Sequence, residues 1–519
     1  MQVKHSWVLA LLLTGCQLTQ QTETGNVVSP VTNQTSTVEP TRSANHVSGA
    51  TSNALVDPQS QQDVWQRIAL QLRFPIPDDK MVDYYRTWYL THPNHLKTVS
   101  ERAKPFLYLI TEKIEQRDMP LELALLPIVE SSFDPFAYSH GSASGLWQFV
   151  PGTGKYYGLK QDFWYDGRRD VSAATDAALD YLETLNRRFE GNWNHAIAAY
   201  NSGGGRVSRA IRHNTNLGRP TDFFSLDLPK ETSGYVPKLL ALADIIANQE
   251  EYGLEMPKID NQVAVSLVDP KEQLDLAIAA NYAGISVKQL QNLNPAYNQW
   301  ATPPDGPHQL LLPVETVANF TQQVEKNRGK GMKVVRYRVK SGDSLLFLAK
   351  QYRTTAQVIQ KANNLPDSRI RVGQYLMIPT SSQAGQAYTL SATNRLAKTQ
   401  SVSQGQYKLT QTVRSGDSLW SIARAHKVSH QSLAKWNGMG PKDTLRVGQK
   451  LVIWKSNSDA LVIRTVFYSV KSGDTISGIA SKFKVKSHDI LKWNDLSKNK
   501  YLQPGQRLKL YIDVTKVSV

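Results

Sequence analysis

Glu130 closes an apolar run, Leu121, Leu123, Ala124, Leu125, Leu126, Ile128 and Val129, so its carboxyl leaves a hydrophobic segment next to the aromatic-rich loop that starts at Phe133. Apolar surroundings disfavour the charged form of a carboxyl and raise its pKa. A proton kept near neutral pH is what a general acid needs to protonate a glycosidic oxygen. Taken alone, a Glu at a helix end is more often a solvated residue. Three further short motifs follow in order: Gly145-Leu146-Trp147-Gln148, Ala198-Ala199-Tyr200-Asn201 and Glu231-Thr232-Ser233-Gly234-Tyr235-Val236. Aromatic rings offer flat apolar faces to a ligand while amides and hydroxyls offer hydrogen bonds, and Trp147, Phe149, Tyr200 and Tyr235 supply such rings in and beside these motifs. Trp147 and Phe149 serve equally well as core packing. Hydrolysis by the usual glycosidase route requires a second carboxylate. Asp134 lies four residues on, but Ser131, Ser132 and Pro135 mark a turn, where an Asp makes a local Asx-type hydrogen bond. Glu231 reads as part of a helix start capped by Thr232. Gly203-Gly204-Gly205-Arg206 has no preceding strand and no following Gly-Lys-Ser/Thr, so it reads as a flexible turn at a cleft rim, not a phosphate loop. His92 and His95 are too isolated to hold a metal, and no cofactor is implied.

These side chains need helices to position them. Val64, Trp65, Ile68 and Leu72, then Phe106, Leu107, Leu109, Ile110 and Ile114, recur at three and four residues, and apolar stretches at 173–189, 193–200 and 235–246 continue the helical pattern. A chain of 519 residues is too long for one core and predicts three or four modules.

The carboxyl-terminal part repeats itself. Short alternating strands lead into Ser341-Gly342-Asp343-Ser344, Ser415-Gly416-Asp417-Ser418 and Ser472-Gly473-Asp474-Thr475, and the copies close on Gly373-Gln374, Gly448-Gln449 and Gly505-Gln506. The first Gly precedes the second by 31, 32 and 32 residues, a spacing that fixes a repeated unit. Each copy predicts a βααβ module in which the Ser or Thr after Gly-Asp caps the first helix. A weaker copy lies at about 261–313 without the Ser-Gly-Asp opening, and is expected to pack against its neighbours. Linkers at about 380–406 and 455–464, rich in Ser, Thr, Gln, Ala and Asn, predict modules that move semi-independently. Charge divides along the same line: residues 331–519 hold 31 Lys and Arg against 9 Asp and no Glu, a net of +22, while the remainder carries −6. The basic tail asks for an acidic partner.

At the amino end, Lys4 and His5 precede an apolar run from Trp7 to Leu13, too short to span a bilayer, and then Thr14, Gly15 and Cys16. Leu13-Thr14-Gly15-Cys16 resembles a bacterial lipobox, which implies acylation of Cys16, the one cysteine of the chain; Gln17 after it implies the outer membrane of a Gram-negative envelope, with the protein facing the periplasm. Residues 17 to about 60 are too polar to bury a core and predict a tether.

The four motifs around Glu130 together resemble family 1 of the soluble-type lytic murein transglycosylases, and the repeats resemble the LysM module, a binder of N-acetylglucosamine-containing polymers. The resemblance implies an α+β multi-domain chain with a mainly α, goose-lysozyme-like catalytic domain followed by small βααβ LysM modules. The expected division is 1–15 signal peptide, 16–60 disordered tether, 61–119 helical region, 120–250 catalytic domain, 255–313 degenerate LysM-like domain, and LysM modules at 335–380, 408–454 and 466–512. It also implies cleavage of peptidoglycan between N-acetylmuramic acid and N-acetylglucosamine with 1,6-anhydromuramic ends. Glu130 is the implied catalytic residue; Ser139, Gln148, Tyr200, Asn201 and Tyr235 are implied substrate-binding residues; Gly342, Asp343, Gly416, Asp417, Gly473 and Asp474 are implied to contact glycan. A monomer bound to glycan strands, anchored through Cys16 and without nucleic acid, is expected. Two rival readings are a muramidase with an unplaced second carboxylate and a non-enzymatic glycan-binding scaffold. Nucleic-acid binding by the basic tail conflicts with the secretion signal.

Overall fold

The computed structural model describes residues 57–139, 141–405, 407–455, 463–496 and 502–513. The expected signal peptide, Cys16, most of the tether and most of the expected linker at about 455–464 lie outside the described residues. No helix among the described residues is long and apolar enough to cross a membrane.

The amino-terminal half is a helical body. Helices at Val64–Ala69, Lys80–Thr91, Pro93–Ala103 and Leu107–Glu115 precede a 3-10 segment, Leu121–Leu125, that runs into the short helix Leu126–Ser131. Helices at Val171–Arg188, Trp193–Ser202, Gly204–Asn216, Lys230–Ser233 and Tyr235–Ala247 complete it. Starts are set by side-chain oxygens of Asp63, Asp79, Asp170 and Asn192, each accepting from a free N–H of the first turn. The apolar stripes meet in one core: Trp65, Ile68, Leu107 and Ile110, from before residue 120, share it with Leu123, Leu182, Leu239 and Ile245. The helix Tyr235–Ala247 lies at its centre, with residues from Val236 to Ile246 almost all buried, and packs on Lys80–Thr91, on the 3-10 segment and on the Glu130 helix.

Four two-stranded antiparallel sheets follow, each enclosing two helices. In the first, Val265–Val268 pairs with Leu310–Pro313 around Leu276–Ala283 and Val287–Leu293. It is fused to the helical body: the Asp166 N–H donates to Ala296 O at 2.9 Å and the Asn298 N–H to Trp164 O at 2.7 Å, and Trp164 and Tyr165 join its core. The other three pair Lys333–Arg338 with Tyr375–Thr380, Tyr407–Thr412 with Lys450–Lys455, and Ile463–Ser469 with Arg507–Asp513. Ser344, Ser418 and Thr475 cap the first helix of each, as the repeat predicts. An Asn after each second helix ties it to the closing strand: Asn363 donates to Met377 O at 2.8 Å, Asn437 to Val452 O at 2.7 Å and Asn494 to Lys509 O at 2.9 Å.

Residues 380–405 depart from the flexible linker their composition predicts. Tyr388 is 1% exposed, and its hydroxyl donates to Asp275 of the first small module at 2.8 Å. Asn394 donates to Gly385 O and Tyr388 O at 2.7 Å, and Ala392–Ser401 is a helix. One aromatic anchor and its polar ties outweigh the surrounding Ser, Thr and Gln.

Candidate active site

Glu130 stands at the last turn of the helix Leu126–Ser131, and that turn is clamped. Ser132 and Phe133 adopt φ values of 51° and 55°, a left-handed pair that costs about 1–3 kcal/mol per residue and persists only where surroundings enforce it. The enforcement is visible: the Ser132 N–H donates to Ile128 O and the Phe133 N–H to Pro127 O, both at 3.0 Å, while the Phe133 ring is fully buried. The Ser131 hydroxyl bonds to Pro127 O and Leu146 O at 3.0 Å, locking the helix end to the loop that carries Gln148. Asp134 accepts from the Phe136 N–H at 2.9 Å, the local bond expected of it.

The carboxyl opens into a cleft of about 690 Å³ that is also lined by Ser139, Gln148, Phe149, Tyr200, Asn201 and Tyr235. Burial pushes the Glu130 carboxyl up to about 7; against it, the Tyr235 hydroxyl donates to Oε1 at 2.5 Å and Lys238 adds positive charge, while Glu231 adds negative charge. All six residues that the resemblance implies for catalysis and substrate binding in the helical body therefore share one cavity. Tyr200 spends its hydroxyl on Trp147 O at 2.8 Å, so its ring is what remains for a ligand. Asn201 accepts at Oδ1 from the Thr232 hydroxyl at 2.9 Å. Thr232 therefore does not cap a helix, as its place after Glu231 suggests; it orients Asn201. Trp147 is core, fully buried with Nε1 donating to Thr175 at 3.0 Å, whereas Phe149 is buried yet borders the cleft.

The Gly203 segment is a corner, not a flexible turn: Gly203, at φ 87°, joins two helices, and Gly204 starts the second. Lys238 and Glu231 also line the cleft. Lys238 escapes the motif reading, although its place three residues after Tyr235 on one helix puts both on the same face.

In the LysM modules, Gly342, Gly416 and Gly473 hold φ values of 84–87° that the turn requires. Asp343 and Asp474 close their own turns, accepting from the Lys340 and Lys471 N–H groups at 2.7 Å and from the Tyr337 and Tyr468 hydroxyls at 2.9 and 2.7 Å. Asp417 accepts from the Arg414 N–H at 2.7 Å.

A clamped helix-end carboxyl in a cleft of a helical body, followed by small strand-helix-helix-strand modules, is the arrangement expected of a lytic transglycosylase carrying LysM modules. The family matches agree in detail. Residues 108–223 match the Transglycosylase SLT domain, residues 264–328 the LysM-like domain of lytic transglycosylase MltD, and residues 337–379, 412–454 and 468–510 the LysM domain. The chain is 36% identical over 474 residues to membrane-bound lytic murein transglycosylase D of Escherichia coli K12, covering 88% of this chain and 99% of that one. An autolysin of Enterococcus faecalis is 32% identical over 175 residues, 31% of this chain and 22% of that protein. The solved 70 kDa soluble lytic transglycosylase of Escherichia coli aligns at 20% identity and a TM-score of 0.25, covering 36% of this chain and 33% of that chain. The chain belongs to the membrane-bound lytic murein transglycosylase D family.

Proposed function

We propose that Glu130 alone performs both proton transfers of a lytic transglycosylase acting on peptidoglycan. The chain is a peptidoglycan lytic transglycosylase by family, and what carries the assignment to Glu130 is the carboxyl held near neutrality by burial at the floor of the cleft. In its protonated form Glu130 donates to the glycosidic oxygen between N-acetylmuramic acid and N-acetylglucosamine as the bond from that oxygen to C1 breaks. The resulting carboxylate, supported by the Tyr235 hydroxyl, then takes the proton of the muramyl C6 hydroxyl while O6 bonds to C1. The ring closes as a 1,6-anhydro sugar, Glu130 is protonated again, and no water is consumed. Ser139, Gln148 and Asn201 offer polar contacts to the strand, and the half-buried ring of Tyr200 offers a sugar-stacking face.

The LysM modules bind peptidoglycan, and their basic charge draws the chain to a polymer bearing stem-peptide carboxylates. The rims that present Gly342, Asp343, Gly416, Asp417, Gly473 and Asp474 are the proposed glycan contacts, with the aspartates acting by holding the turns. Acylated Cys16 would fix the protein, as a monomer, to the outer membrane on its periplasmic side. A muramidase remains the rival reading because Glu231 lines the same cleft. The test is Glu130→Gln in the full chain: it should abolish release of muropeptides from sacculi while pull-down on sacculi stays at the wild-type level. Wild-type cleavage by that variant would remove Glu130 from the mechanism.

A further inference from the structure

At the rim of the cleft, Tyr138, Ser139 and residues 141–143 make a turn whose inner side brings Ser139, Gly141 and Ala143 to the cavity; His140 lies outside the described residues. The turn is wound on Ser139: its Oγ accepts from the Gly141 N–H at 3.2 Å and the Ala143 N–H at 3.1 Å, and its own N–H donates to Ala143 O at 2.9 Å. The outer side of the turn is held from another module. Asp443 lies in the loop after the second helix of the second LysM module; one of its oxygens accepts from the Tyr138 hydroxyl at 2.8 Å and the other from the Ser142 hydroxyl. Asp443 is itself oriented, accepting from the Gly440 N–H at 2.8 Å. Burial, reinforced by the Asp443 carboxylate, pushes the Tyr138 phenol up to about 12, so it remains a donor throughout the neutral range.

Two further contacts strap the same module in place. The helix Ala392–Ser401 sets the Arg395 guanidinium 4.9 Å from the centre of the Phe136 ring, and donates from Gln400 to Asn437 of the module at 2.9 Å. A carboxylate at this position is found in this module alone of the three repeats. Five residues before the second glycine of each repeat stand Asp443 ahead of Gly448, but Ser368 ahead of Gly373 and Lys500 ahead of Gly505.

We propose that Asp443 is a positioning residue for the catalytic cleft, pinning Tyr138 and Ser142 so that the turn presents Ser139 to the glycan, and that the second LysM module is thereby part of the catalytic unit. The proposal rests on the cleft being the site that acts through Glu130. Its test uses the full chain and three readouts: amide exchange of Gly141, Ser142 and Ala143, kcat and KM for muropeptide release, and pull-down on sacculi. Asp443→Ala should speed exchange in the turn about tenfold and lower kcat about fivefold with pull-down unchanged. Tyr138→Phe and Ser142→Ala should each give part of that effect in a folded chain, and Tyr138→Phe added to Asp443→Ala should add little. Asp367→Ala, which removes a loop carboxylate that pairs with Arg369 within the first LysM module, should leave all three readouts unchanged. Wild-type exchange and wild-type kcat in folded Asp443→Ala would overturn the proposal, as would a rise in kcat. Glu130→Gln separates the two readings: it should lose cleavage with the turn still protected, and if it cleaves normally the Glu130 assignment fails while the exchange data still judge Asp443.

Discussion

The hydroxyl of Tyr235 donates to Oε1 of Glu130 at 2.5 Å, joining the start of the central helix to the end of the helix Leu126–Ser131 across 105 residues of sequence. Two opposed effects meet at that bond. Burial disfavours the carboxylate, the hydrogen bond favours it, and burial wins, leaving the carboxyl at about 7.

The proposed mechanism starts from protonated Glu130, so cleavage should fall as pH rises through about 7. Tyr235→Phe removes a stabiliser of the charged form, so the carboxyl should rise further and this alkaline limb should move upward by about one pH unit, with a lower kcat. A pH–rate profile on sacculi checks it. A downward move of the limb would show that Tyr235 acts on Glu130 in the opposite sense.

The same raised carboxyl affects stability. A buried acid whose folded pKa exceeds its unfolded value costs nothing while protonated; the cost grows as pH rises from the unfolded value to the folded one and stays constant above it. Glu130→Gln carries no such charge, so its gain in Tm over the wild type should be larger at pH 8 than at pH 5. Thermal melts at the two pH values decide, and an equal or reversed difference contradicts the burial argument.

Gly145 sits at φ 83°, and a Cβ there would lie 2.0 Å from Arg168 O. Arg168 is buried, pairs with Asp166 and donates to Ser142 O at 2.7 Å and Phe149 O at 3.2 Å, so the backbone beside Gly145 has little freedom to retreat. Gly145→Ala should cost at least about 2 kcal/mol and lower Tm by several degrees. A denaturant titration measures it, and a neutral effect would mean that the loop can rearrange.

How far the sequence can be read follows from which contacts are local. Glu130 with its apolar run, the Gly-Asp turns and the helix caps are written in neighbouring residues, so their types and spacing announce them. The family resemblance also implies Ser139, Gln148, Tyr200, Asn201 and Tyr235, which the fold gathers in one cavity. Three things stay hidden. Thr232 looks like a cap because Glu231 precedes it, and only the folded chain brings it to Asn201, 31 residues away. Residues 380–406 have the composition of a tether, and nothing local marks Tyr388 as an anchor until Asp275 is beside it, 113 residues away. Asp443 is an ordinary loop Asp until the second LysM module meets Tyr138, 305 residues away.

Tyr388→Ala should release that strap. Removing a buried aromatic side chain costs roughly 3–5 kcal/mol where it packs, and here the loss falls on a segment tied to the first small module through Asp275. Limited proteolysis should then cut within 380–405 several times faster than in the wild type. An unchanged cleavage pattern would show that Asn394 and the helix Ala392–Ser401 hold the segment without Tyr388.

At the centre of the proposed mechanism one carboxyl, Glu130, would carry the sugar through ring closure without water. Mass spectrometry of the glycan ends released from purified sacculi by the full chain decides whether it does. Ends that are 1,6-anhydromuramic throughout are expected; reducing muramic acid ends would contradict the single-carboxyl mechanism and turn attention to Glu231 as the second carboxylate of a hydrolase.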